Sequence, residues 1–266
     1  KCEFISVVGN DEHFQTARNK LSEVNVNHTL IQDDSRPTTF KIRYLVDNQK
    51  IFRVSKLKEH NISRDIEDKI LEKIKIVAPN ISSILICDFV YGVITPRIIT
   101  EIIKIAKEYD LLLFGDLQCS SQVGNITKFK RFDLICPTER EARISLSNKD
   151  DSIEKISNNI LELTDSKNLI MKLGANGFIT YSNHENNFID REHFPSLTRN
   201  PIDVTGAGDS LLAGTSLSLA CGADIMTASV IGASMASIAI QSVGNFSISK
   251  NRLLNYLKEV KLHGKI

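Results

Sequence analysis

Apolar and polar positions follow three rhythms along this chain. Strand-length stretches dominated by apolar residues occur at residues 4–8, 83–87, 111–114 and 132–136. Between them, apolar residues three and four apart predict amphipathic helices over 12–23, 65–77, 96–107 and 152–163. Continuous apolar strands separated by such helices argue for a parallel sheet covered on both faces. Period-two alternation over 39–45 and 51–54, across Asp47-Asn48-Gln49, predicts a β-hairpin with one polar face. A short strand is expected over 28–31, and a second hairpin over 169–181, turned by Gly174-Ala175-Asn176-Gly177. The C-terminal part reads as a small-residue helix over 224–241 and a terminal helix over 250–260.

One stretch breaks these rhythms. Asn200–Leu219 reads as an extended entry, a glycine-rich corner at Thr205-Gly206-Ala207-Gly208, and an apolar helix opened by Asp209. A helix start carries unpaired amide donors and partial positive charge, so it suits an anion. Gly206 and Gly208 let a phosphate approach those amides and permit the left-handed backbone that an anion nest needs. Asp209 would repel a ground-state phosphate, which aims it at a hydroxyl. Such a corner can hold a transferring phosphoryl group while the carboxylate takes the acceptor's proton. The helix start should also lower the Asp209 pKa, leaving it ionised but weakly basic.

Composition narrows the alternatives. The chain has 266 residues, of which 42% are hydrophobic, enough for one sizeable α/β core. Thirty-three basic residues balance 32 acidic ones, so nothing calls for a nucleic acid or a membrane surface as partner. Five scattered cysteines without a CxxC pattern fit a reducing, cytoplasmic compartment rather than a disulfide scaffold or a zinc site. No apolar run approaches membrane-spanning length. Acids follow three successive strands at Asp88, Asp116 (just past its strand) and the Glu139/Glu141 pair. In parallel sheets ligands collect at that edge, so the series suggests polar-substrate and metal binding.

The run Asp203 to Gly214, DVTGAGDSLLAG, resembles the C-terminal signature of the ribokinase/PfkB carbohydrate kinases, with Val204 where Thr is usual. The resemblance implies an α/β, ribokinase-like three-layer sandwich with a mostly parallel central sheet and a small β lid. It covers nearly the whole chain as one kinase domain, 1–266, with residues 36–55 as the lid. It implies ATP and magnesium (Mg2+) as cofactors, with a monovalent cation such as K+ in some members. Asp209 is then the catalytic base and Gly206-Ala207-Gly208 the anion hole, with Asp203 and Glu141 near the metal. Pro137-Thr138-Glu139-Arg140-Glu141 resembles an Asn-x-x-Glu motif in which Thr138 replaces Asn. Lys172, Gly174, Gly177, Thr205 and Asn245 would border the nucleotide. Asp88 and Asp116 would lie near sugar and phosphates.

The words RPTT-x-K-x-R, from Arg36, resemble most closely the heptose 7-phosphate kinase domain of the bifunctional ADP-heptose synthases. Lys41 and Arg43 share a strand face, and either meet a second phosphate on the substrate or stand as two solvated positions. Gln118-Cys119-Ser120-Ser121-Gln122 is unlike those heptose kinases. The family's Gly-Gly-x-x-Asn sugar signature normally precedes residue 1, so an N-terminal part is expected to be missing here. A sugar or sugar-phosphate kinase is therefore expected, with a nucleoside or vitamin kinase of the same family as runner-up. A non-catalytic nucleotide- or sugar-binding relative is the alternative of a different class. A lid with an apolar edge is compatible with a homodimer through lid pairing.

Overall fold

The computed structural model of the chain describes residues 1–46, 49–119, 122–183, 189–198, 200–244 and 246–262. The chain divides into two units, Lys1–Ile84 with Asp88–Leu111 and Cys119–Gln122, and Leu85–Cys87 with Leu112–Gln118 and Val123–Ile266.

In the first unit, β1 (Glu3–Val8) and β2 (Asn27–Gln32) pair in parallel, and α1 (Glu12–Glu23) makes the crossover that parallel pairing requires. The side chain of Asp11 caps α1 by accepting from the Phe14 N–H. The expected hairpin is present as β3 (Phe40–Val46) and β4 (Gln49–Lys56), although Asp47 and Asn48 of its turn lie outside the described residues. Its register sets Lys41 opposite Ser55 and Arg43 opposite Arg53, with Ile42 opposite Val54 and Tyr44 opposite Phe52. One face is thus basic and the other apolar, and the apolar face is exposed, Phe52 at 54%. Arg36 sits beneath the hairpin's entry. It pairs with Asp33 at 2.8 Å and donates to the backbone oxygens of Tyr91 and His60. Thr38 and Gly9 lock to each other nearby, since the Gly9 N–H donates to Thr38 Oγ1 at 3.0 Å. The RPTT word is therefore a buried staple of its own unit. Helices α2 (Arg64–Val77) and α3 (Pro96–Tyr109) bury isoleucine stripes, Ile66, Ile70 and Ile74 on one and Ile98, Ile102 and Ile105 on the other. Each such side chain contributes roughly 1.5–3 kcal/mol when fully buried.

β5 (Ser83–Asp88) has residues in both units. The second unit continues with β6 (Leu112–Leu117), β7 (Leu134–Ile135), α4 (Glu139–Leu146), α5 (Ile153–Thr164), β8 (Asn168–Lys172), β9 (Phe178–Asn183) and β10 (Ile189–Phe194). Three helices close it, α6 (Ala207–Ala220), α7 (Ile225–Ala239) and α8 (Lys250–Leu262). The sheet order is β10-β9-β8-β7-β6-β5, with β6–β7 and β7–β8 parallel and β8–β9 and β9–β10 antiparallel. Two expectations need correction here. β6 runs three residues past its expected end, so Asp116 lies inside the strand and is 1% exposed. β10 is an additional strand, and its polar sequence IDREHF suits an edge.

One face of this sheet buries Phe114, Leu134, Cys136, Ile170 and Phe178 against Leu211, Leu212, Ile225 and Ala233 of α6 and α7. The opposite face is filled too, since a Cβ on Gly115 would stand 2.9 Å from the Phe129 ring. Helices α6 and α7 touch through small residues. A Cβ on Gly232 would fall 2.2 Å from Thr215 Oγ1 and 2.8 Å from the Leu211 carbonyl oxygen. We expect Gly232→Ala to force the two helices apart and cost about 1–3 kcal/mol or more, read as a lower denaturant midpoint. An unchanged midpoint would contradict this packing.

Candidate active site

The second unit brings several expected residues together at one end of its sheet. Side chains alternate across a strand, so Asp116 follows Phe114 on the face of β6 that meets α6, and Lys172 follows Ile170 on the same face of β8. Lys172 Nζ donates to Asp116 Oδ1 at 2.8 Å; the Lys172 side chain is largely covered, at 13% exposure, and that of Asp116 is buried, at 1%. A Cβ on Gly208 would lie 3.7 Å from that ammonium, so the Lys172 head group abuts the first turn of α6.

The corner itself is built as a helix start. Gly206 is the N-cap, at φ 81° and ψ 0°, a left-handed conformation that glycine adopts without steric cost. Ala207, Gly208 and Asp209 occupy the first three helical positions, where amides have no acceptor within the helix. The Ala207 N–H turns back onto the Val204 oxygen at 3.4 Å, and the Ser210 N–H makes the first bond of the helix proper, onto the Gly206 oxygen at 2.9 Å. Asp203 fixes the approach. Its Oδ1 accepts from the Thr205 N–H and hydroxyl at 3.0 and 2.7 Å, and its Oδ2 accepts from the Gly244 N–H at 3.2 Å.

The Asp209 carboxylate does not behave as a simple helix-start acid. Burial raises its pKa and the Asp116 charge raises it further, while Lys172 and a hydrogen bond from Gln118 pull it down; the net shift is upward. The expected lowering is therefore corrected: desolvation and the like charge of Asp116 outweigh Lys172 and the Gln118 hydrogen bond. Burial alone would lower the Lys172 pKa, but the charge and hydrogen bond of Asp116, with Cys136 and Glu141, together outweigh it and keep the ammonium charged. Cys87 keeps an exposed surface, yet desolvation of its sulfur by the atoms around it and the carboxylates of Asp116 and Asp209 push the thiol up to about 12.

Thr138 is the N-cap of α4. Its hydroxyl accepts from the Glu141 N–H at 3.2 Å, and Glu141 Oε2 accepts from the Thr138 N–H at 2.8 Å, a complete capping box. Asn and Thr both cap helices, so replacing Asn by Thr keeps this end formed. The segment also meets β8, where the Lys172 N–H donates to the Pro137 oxygen at 2.9 Å. Gly174, at φ 62°, has open space where a Cβ would stand. Gly177 is explained by packing instead, because a Cβ there would lie 2.0 Å from the Phe194 carbonyl oxygen. Asn245 lies outside the described residues.

The remaining expected positions belong to the first unit. Lys41 Nζ stands 5.1 and 5.0 Å from the ring centres of Phe89 and Tyr91, a cation–π arrangement. Arg43 is exposed on the same face of β3, and Asp88 is buried, accepting from the Val90 N–H at 2.8 Å. No group of three or more His, Cys, Asp or Glu side chains among the described residues is arranged to hold a metal. Asp203 and Glu141 spend carboxylate oxygens on backbone donors, so this donor set fits magnesium held through water and phosphate oxygens and not a dedicated protein cage. No helix among the described residues is long and apolar enough to cross a membrane.

The fold and this corner define an α/β protein with a glycine-capped helix start beside an acid. Residues 1–251 match the family described as pfkB family carbohydrate kinase, and the chain belongs to that family. Among curated proteins it is 26% identical over 256 residues to the Bifunctional protein HldE of Geobacter sulfurreducens, covering 95% of this chain and 51% of that protein. It is 29% identical over 254 residues to HldE of Nitrobacter hamburgensis, covering 92% and 50%. The chain thus spans about half the length of the curated relatives it matches. Among solved structures, phosphofructokinase-2 of Escherichia coli superposes with a TM-score of 0.75 at 15% identity, over 97% of this chain and 82% of that one. Ribokinase of Thermotoga maritima gives 0.73 at 19%, over 97% and 81%. These two share the ribokinase-like fold, an α/β architecture with a mostly parallel central sheet.

The capping box gives a direct check. Thr138→Ala should destabilise the protein by about 1 kcal/mol, whereas Thr138→Asn should be nearly neutral in thermal or denaturant unfolding. Equal losses in both variants would remove capping as the reason for Thr138.

Proposed function

We propose that this chain is a kinase domain, over 1–266 with residues 36–55 as its lid, that moves the γ-phosphoryl of ATP to a hydroxyl of a sugar or sugar phosphate. The observation that carries this reading is one junction, where the amides opening α6, the Lys172 ammonium and the Asp209 carboxylate share one end of the sheet. Asp209 takes the proton of the acceptor hydroxyl. Its upward-shifted pKa makes it a better proton acceptor than an ordinary aspartate once ionised. The Ala207, Gly208 and Asp209 amides meet the negative charge spreading over the phosphoryl oxygens, and Lys172 adds a full positive charge beside them. Asp116 holds Lys172 in place and charged. Gly174 and Thr205 border the nucleotide, while Glu141, Thr138 and Asp203 shape the loops around it. Magnesium, when bound, neutralises phosphate charge, held through water near Glu141 and Asp203.

Loose phosphoryl transfer requires little proton removal until late, so positioning and electrostatics supply most of the acceleration. A heptose 7-phosphate-like acceptor is the favoured substrate. The HldE relatives and the basic hairpin face with Lys41 and Arg43 support it, with Asp88 as a sugar ligand. The hairpin's exposed apolar face, with Ile42, Tyr44, Phe52 and Val54, suits a second copy of this chain.

Asp209→Asn should lower kcat by roughly 10²–10⁴-fold, measured as ADP release with heptose, hexose and pentose phosphates, while calorimetry still detects ATP binding. Near-normal turnover would remove Asp209 as the base. Sedimentation should show a dimer that Phe52→Glu converts to monomer; a monomeric wild type would remove the lid contact.

A further inference from the structure

Gln118 lies one residue beyond β6 and two beyond Asp116, and nothing in its local sequence marks it. Its side-chain amide nevertheless reaches a partner 91 residues away: Nε2 donates to Asp209 Oδ1 at 2.6 Å. An ionised carboxylate only accepts, so the Gln118 NH₂ group is the end that faces it. We propose that Gln118 is the positioning residue of the phosphoryl-acceptor base, clamping Oδ1 of Asp209 so that Oδ2 is presented to the acceptor hydroxyl. This rests on the reading of Asp209 as that base.

The choice of donor matters chemically. The groups facing Asp209 are Asp116 on β6, Lys172 on β8 and Cys87 on β5, and Asp209 is the only acid in the first turn of its own helix. Asp116 pushes toward the protonated form and Lys172 toward the ionised form. A second cation on Asp209 would hold the carboxylate firmly ionised and weaken it as a base. The neutral amide fixes the carboxylate's orientation while adding no net charge, so orientation is gained with a smaller loss of basicity. A carboxylate with one oxygen held also loses the rotation that would otherwise compete with accepting a proton from one direction.

The test uses the whole chain with Gln118→Leu, similar in size but without a donor, and Gln118→Lys, which restores a donor with charge. Two readouts run in parallel. One is the pH profile of ADP release with saturating ATP and sugar phosphate. The other is the titration of the Asp209 carboxyl carbon by ¹³C NMR, assigned by its loss in Asp209→Asn. Removing a hydrogen bond to the charged form raises an acid's pKa, so in Gln118→Leu both the acid limb and the carboxyl titration should move to higher pH. In Gln118→Lys both should move to lower pH. In Gln118→Leu kcat should fall roughly 10- to 100-fold, with the KM values for ATP and sugar phosphate little changed, and Gln118→Lys should recover part of that loss.

An active wild type whose carboxyl titration and kcat are unmoved in Gln118→Leu overturns the positioning role alone. A fall carried entirely by KM also overturns it. A wild type without ATP-dependent turnover on any sugar phosphate overturns the kinase reading, and the positioning role with it, even if the carboxyl titration responds. If Gln118→Leu fails to fold, Gln118→Lys decides by the direction of both shifts.

Discussion

A largely buried ammonium 2.8 Å from a buried carboxylate, Lys172 on Asp116, is the contact around which this end of the sheet is built. Each partner alone would be costly in the sheet interior, and removing one would strand the other. The pair is also incompletely satisfied, because Asp116 Oδ2 is buried without a hydrogen-bond partner among the described residues. Natural cores seldom leave a carboxylate oxygen in that state. Here the charge of the Asp116 carboxylate raises the Asp209 pKa, and the Lys172 ammonium faces the opening turn of α6. The pair thus acts on both halves of the corner, the acid and the amides.

The backbone makes that placement possible. β6 and β8 are linked through β7 in a parallel ladder, so their carboxyl ends lie at the same side of the sheet. The helix packed on that face begins with small residues, and its glycine N-cap turns the chain without a side chain in the way. Apolar packing lower on the same face, among Phe114, Ile170, Leu211 and Leu212, sets the height at which the polar residues emerge. One strand face therefore changes over two residues from core to chemistry.

Much of this was legible in the sequence because local patterns encode it. The span of α1, the hairpin of β3 and β4, and the corner at Gly206–Asp209 all follow from periodicity or from turn chemistry. What escaped is non-local. The length of β6 is set by its neighbours, so Asp116 reads as a post-strand acid until β7 and β8 are placed beside it. The upward shift of Asp209 reverses the expectation from its helix position, because Asp116 lies 93 positions earlier and no pattern in the chain joins them. Lys41 reads as a free cation until Phe89 and Tyr91 are found against it. Arg36 reads as part of a family word, and proves to be a buried tie among loop carbonyls. Gln118 carries no signal, since an isolated glutamine after a strand is ordinary. The polar strand β10 lacks the apolar alternation on which strand prediction depends.

The thiol of Cys87 carries a consequence of its own. With its pKa pushed up to about 12, this thiol, although exposed, holds its proton at neutral pH. Peroxides and alkylating electrophiles attack thiolates, so Asp116, which raises the Asp209 pKa, and Asp209 itself together disfavour the thiolate beside them. The carboxylates that crowd this end of the sheet thus also favour the protonated form of the neighbouring sulfur.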